Sequence, residues 1–78
     1  MSGNVLPLGL LRAGCSAVVR DLHGARGLRQ RLVDLGLIHG TKVGVVKNDE
    51  GSPLIISIGE GRLAIGRGMA LKIMVEEA

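Results

Sequence analysis

The sequence predicts a mainly β fold: a small SH3-like five-stranded antiparallel barrel with one inserted α-helix at about Arg26–Leu35. Three observations carry that expectation. The chain has 78 residues, 46% hydrophobic, which suffices for one core and one domain spanning 1–78. Short apolar, β-branched runs alternate with turn residues, chiefly Gly and Pro. A single stretch has helical period instead: Leu28, Leu32 and Leu35 fall at i, i+4 and i+7.

Residues 1–7 read as a loose lead-in, and Pro7, Gly9 and Gly14 punctuate the chain before the first strand. Leu8, Leu10 and Leu11 are expected to anchor this segment to the core. "CSAVVRDL" (Cys15–Leu22) reads as the first strand, and "HGARG" (His23–Gly27) as a loop. The helix comes next, with Leu28, Leu32 and Leu35 on its core side and Gly36 placed to end it in a left-handed turn. A helix of about ten residues is marginal alone and needs tertiary packing.

His39-Gly40 turns the chain into "TKVGVVK" (Thr41–Lys47), the second strand. "NDEGSP" (Asn48–Pro53) is the densest cluster of turn residues, and "LIISI" (Leu54–Ile58) is the third strand. "RLAI" (Arg62–Ile65) is the fourth strand, and "GRGMA" a turn or one turn of helix. "LKIMV" (Leu71–Val75) is the fifth, with Leu71, Ile73 and Val75 on one face. Short connections favour antiparallel neighbours, and closing such a sheet on itself removes most exposed edges.

Composition narrows the function classes. There is no Phe, Trp or Tyr. Base stacking on aromatic rings and aromatic peptide grooves therefore lack their key residues. The net charge of +3 is spread without a dense run, so nucleic acid is not expected as a partner. One cysteine, Cys15, permits no internal disulfide and points to a reducing, cytoplasmic setting. "LPLGLLRAGC" ends like a lipoprotein cleavage box, but Arg12 interrupts its apolar run. No run approaches the ~20 apolar residues of a spanning helix, so direct membrane insertion is not expected.

Motifs for chemistry are weak. Gly61-x4-Gly66 has phosphate-loop spacing, but Arg67 and Gly68 stand where Lys and Ser/Thr belong. The dinucleotide-binding glycine spacing fails as well. His23, His39 and Cys15 are weak candidates for contact with Fe2+ or Zn2+, at no tight ligand spacing; Asp34 could join them, or two chains could share a site. Cys15 opens a strand and Ser52 and Ser57 have no evident partners, so no nucleophile–base set stands out and an enzyme is not expected. Arg26, Arg29 and Arg31 cluster at the helix and read first as its solvated face.

One segment resembles a known family. "LRQRLVDLGLIHGTKVGVV" (Leu28–Val46) is similar to the signature of the FeoA family, ferrous-iron transport protein A. Its pattern runs Arg31-Leu32-Val33-Asp34-Leu35-Gly36-Leu37, then Gly40-Thr41; His39 stands where the family often has Pro. "AGCSAVVRDLHG" and "SPLIISIGEGRLAIGRGMALKIMVE" match the family's opening strand and ending, so the likeness runs from Leu8 to Val75. The resemblance implies an SH3-like barrel with no chemistry of its own. It implies a cytoplasmic accessory of bacterial ferrous-iron uptake that binds the membrane transporter FeoB, and so sits at the inner membrane through its partner. Self-association is compatible with it. The alternative is an SH3-like regulator associated with nucleic acid or with an iron-dependent repressor. On the first reading, Arg29, Asp34, Leu37 and His39 are the expected partner-binding residues, taken as exposed around the helix end.

Overall fold

The computed structural model describes residues 4–78. Six strands form one antiparallel sheet: β1 (Val5–Pro7), β2 (Ser16–Leu22), β3 (Lys42–Lys47), β4 (Leu54–Ile58), β5 (Gly61–Ile65) and β6 (Ile73–Glu77). Helix α1 covers Arg26–Asp34, and the four-residue α2 covers Arg67–Ala70. A 3-10 turn spans Leu8–Leu10. The spatial order is β1-β6-β2-β3-β4-β5.

Among the described residues, fourteen buried apolar side chains form one cluster, drawn from β2 to β6, both helices and the loops beside them. A flat sheet could not bring one face of so many strands to a single core, so the sheet curls around it. Irregularities in register between Val19 and Asp21 on β2, and between Val45 and Lys47 on β3, supply local bends. Burial alternates along β2, β3 and β4: Ala17 and Val19, Val43 and Val45, and Leu54 and Ile56 point inward.

Three details differ from expectation. The lead-in carries a strand, β1, whose Leu6 pairs with Val75 of β6. There are thus six strands rather than five, and the ladder runs from β1 to β5 as its two edges. At that gap α2, which comes after β5, packs against the 3-10 turn that comes after β1. A Cβ built on Gly9 would lie 3.3 Å from Ala70 Cβ. Of the three leading leucines, Leu8 and Leu11 are buried while Leu10 faces solvent. The last strand also begins two residues late, at Ile73. Leu71 is the C-terminal cap of α2 and is exposed, and Ala70 takes the buried position instead.

Helix α1 ends in a Schellman motif. The Leu37 N–H donates to Leu32 O at 2.9 Å, and the Gly36 N–H donates to Val33 O at 2.9 Å. Gly36 sits at φ +95°, and Thr41 Oγ1 donates to its carbonyl at 3.0 Å. This turn corrects the leucine stripe. Leu28 is half-buried and Leu32 fully buried, but Leu35, the C-cap, is exposed. The chain reverses at Gly36, and Leu37 drops into the core beside Leu32, as the motif's apolar contact requires.

Two glycines here separate backbone strain from packing. A Cβ on Gly36 or on Gly27 of α1 would meet nothing within 4 Å, but only Gly36 has positive φ. Gly36→Ala is therefore expected to destabilise by about 1–2 kcal/mol. Gly27→Ala should instead stabilise by about 0.5–1 kcal/mol, because Ala is the better helix former. Thermal melts of the two variants should move in opposite directions.

Candidate functional site

The exposed surface near the C-terminal end of α1 is built by the same turn that buries Leu37. Leu32 and Leu37 turn inward, so their sequence neighbours Val33 and Ile38 turn outward, 42% and 50% exposed. Between them and the end of β2 lies an open groove of about 350 Å³. Leu22, Val33 and Ile38 line it with apolar surface, and Arg20, Asp21, Arg29 and His39 supply its polar groups. The loop carrying Ile38 and His39 is pinned to β2: the Gly40 N–H donates to Val19 O at 2.7 Å, and the Val19 N–H to Thr41 O at 2.9 Å. The groove wall is thus tied into the sheet by backbone bonds.

The charges in the groove are not equivalent. Arg20 Nε donates to Glu76 Oε1 at 2.8 Å across β2 and β6, so its charge is paired. Asp21 Oδ1 accepts from the Leu22 N–H at 2.9 Å, and Oδ2 lies 3.2 Å from His23 Nε2. The side chains of Arg29 and His39 make no hydrogen bond or ion pair with any described residue.

Of the four residues expected at a partner surface, the groove holds Arg29 and His39. Asp34 is exposed but lies outside the groove lining, and its Oδ1 accepts from Gln30 Nε2 at 2.9 Å along the helix. Leu37 is corrected: it is fully buried and offers no surface to a partner. Sequence reasoning missed Val33 and Ile38. The available signal was an apolar residue off the Leu28/Leu32 stripe of a helix with an otherwise polar outer face.

Two of the candidate metal contacts lie at opposite ends of β2, while His39 lines the groove that Asp21 shares. Cys15 precedes β2 and His23 comes just after it, so the strand separates them by roughly 25 Å at ~3.3 Å per residue. Cys15 is half-buried and lines a different depression, with Leu6, Leu10 and Glu77. Among the described residues, no three His, Cys, Asp or Glu side chains group as a metal site would need. Also among them, no helix is long and apolar enough to cross a membrane.

The profile of the FeoA domain matches residues 6–77. A protein of Methanocaldococcus jannaschii, provisionally named Fe(2+) transport protein A, is 43% identical over 72 residues, covering 92% of this chain and 87% of that protein. Among solved structures, an iron uptake regulatory protein (FeoA) superposes with TM-score 0.91 at 36% identity, covering 96% of this chain and all of that one. Stenotrophomonas maltophilia FeoA, a prokaryotic SH3 domain protein complexed with zinc, superposes with TM-score 0.73 at 32% identity, covering 88% and 87%.

Proposed function

The chain belongs to the FeoA family, and we propose that it is an accessory protein of ferrous-iron uptake that acts by binding a FeoB-type membrane transporter. The observation that carries the reading is the family match over residues 6–77, joined to a surface suited to contact rather than catalysis. The groove is open and partly apolar, a shape that suits a protein segment. On this reading the chain is a single domain that works in the cytoplasm and reaches the inner membrane through its partner.

Iron is then cargo, handled by the transporter. The zinc in the Stenotrophomonas maltophilia structure raises the question of a metal contact here. His23 with Asp21 offers two donors, fewer than the four of a structural zinc site. A contact at this pair would have to be completed from outside the described residues.

Co-purification tests the reading. Detergent-solubilised transporter from the same cell should retain the purified chain, and a boiled, refolding-incompetent sample should not be retained. Absence of retention at micromolar protein, where interactions of about −8 kcal/mol are captured, would overturn it.

A further inference from the structure

We infer that the free edge of β5 pairs with the β5 of a second copy of this chain, antiparallel and about a two-fold axis at Leu63. The inference does not depend on the transporter reading.

The hairpin that makes β5 also fixes which of its backbone groups are free. Ile58 pairs with Gly61 across Gly59 and Glu60, and Gly59 has φ +58°, which suits the first central position of a type II′ turn. The pair that closes such a two-residue loop exchanges both hydrogen bonds, and pairs of this kind recur at every second residue. Gly61, Leu63 and Ile65 therefore direct their N–H and C=O groups to β4. Arg62 and Ala64 direct theirs away from it. β5 has no second neighbour in the sheet, and among the described residues no hydrogen bond reaches the backbone of Arg62 or Ala64 from that side. The other edge is blunted: β1 has three residues and ends in Pro7, which has no N–H to offer.

The side chains then select the occupant. In an antiparallel pair centred on Leu63, Arg62 of each copy faces Ala64 of the other, and Ile65 faces Gly61. Each large residue meets a small one, and the free backbone groups of Arg62 and Ala64 exchange bonds in both directions. Arg62 and Ala64 are both exposed, so the arginine stem lies over the alanine methyl. On the other face Leu63 and Ile58 are half-buried beside Leu35, which is 44% exposed. A second Leu63 brought there removes apolar surface from water. Neighbouring registers fit worse. Moving the axis to Arg62 sets two arginines directly opposite each other, where like charges are destabilising. Moving it to Ala64 sets Leu63 against Ile65, large against large. An unrelated strand offers the same backbone groups without this large-against-small match. One strand pair lies well below the ~1,200 Å² of a stable interface, so the dimer is weak, with a Kd on the order of 0.1 mM.

Amide hydrogen exchange and sedimentation of the purified chain test the pairing. With that Kd, raising the chain from about 10 μM to about 1 mM carries it from mostly monomer to mostly dimer. The Arg62 and Ala64 amides should gain several-fold protection, while those of Leu63 and Ile65, already bonded to β4, should not change. Ala64→Glu sets a carboxylate against Arg62 at both ends of the pairing and should tighten the dimer roughly fivefold, and Ala64→Lys should weaken it by a similar factor. Ala64→Pro removes an outward N–H at an edge position that tolerates proline, and should abolish the dimer. Lys42→Glu is the control. It lies on β3, two strands from this edge, and lines a separate depression. It lowers the net charge by more than Ala64→Glu does, yet should leave the affinity within about twofold. A chain that stays monomeric at about 1 mM, a dimer whose added protection falls elsewhere, or equal affinities for Ala64→Glu and Ala64→Lys would overturn the inference. So would protection of Arg62 and Ala64 that appears only when solubilised transporter is added, which would give the edge to that partner instead.

Discussion

Leu37→Ala is expected to cost about 2–5 kcal/mol of folding stability, while Ile38→Ala, one residue on, should change it by less than about 0.5 kcal/mol. The contrast arises from the Schellman turn. Leu37 is fully buried against the core that Leu32 enters from α1, whereas Ile38 is half exposed. Removing the Leu37 side chain leaves a cavity beneath the loop that carries His39. For a domain of this size the midpoint of thermal unfolding should fall by more than about 8 °C. Ile38→Ala should leave the melt nearly untouched. A Leu37→Ala protein that melts like the native chain would show that the residue is not packed as described. The pair also separates folding from recognition: any loss of partner binding in Leu37→Ala is a loss of folded protein.

Arg67→Met is expected to destabilise by about 2–3 kcal/mol, although the side chain is only half-buried. Its guanidinium joins segments far apart in the sequence. Nη1 donates to Asp49 O at 3.0 Å and Ser52 O at 2.8 Å, and Nη2 donates to Asn48 Oδ1. Asn48 Nδ2 donates in turn to Gly9 O at 3.1 Å and Leu11 O at 2.6 Å. Arginine thus ties α2 to the β3–β4 turn, and asparagine ties that turn to the segment after β1. The chain of bonds spans the region where α2 meets the 3-10 turn, beside which no ladder joins β5 to β1. Because the two side chains act through each other, Arg67→Met and Asn48→Ala should be non-additive by about 1 kcal/mol or more in a double-mutant cycle. Additive losses, or single losses below about 0.5 kcal/mol, would mean the clamp is ornamental.

These two sites show what the sequence displayed and what it concealed. Short apolar, β-branched runs bounded by turn residues located β2, β3, β4 and β5 to within a residue or so. Helix α1 was legible from Leu28 and Leu32 together with Gly36. The stripe misled at its end. Extending it to Leu35 assumed that helical phase continues, but positive φ at Gly36 reverses the chain and assigns the buried place to Leu37. The apolar contact of a Schellman turn was the cue that could have found it. Strand β1 was concealed because three residues ending in proline carry no periodicity, and its formation depends on β6 offering a free edge. β6 itself was placed early because Leu71 matches the alternation that Ile73 and Val75 begin, yet caps α2. The Asn48–Arg67 clamp was invisible for another reason. Asn48 read as one turn residue among several, and nothing local indicates a carbonyl 37 or 39 residues away. At the candidate site, Arg29 and His39 were legible as polar residues flanking the helix end. Val33 and Ile38 were legible only once the turn had fixed which of each adjacent pair faces inward.

If this small barrel supports ferrous-iron uptake through the groove at the end of α1, transport itself must depend on the groove. The most direct measurement is uptake of labelled Fe2+ by cells lacking this chain and supplied with the native protein, Arg29→Glu or Lys42→Glu at matched folded levels. Deletion should lower uptake. The native chain and Lys42→Glu should restore it, and Arg29→Glu should not. Full uptake in the deletion strain, or full restoration by Arg29→Glu, would contradict the proposed role of the groove.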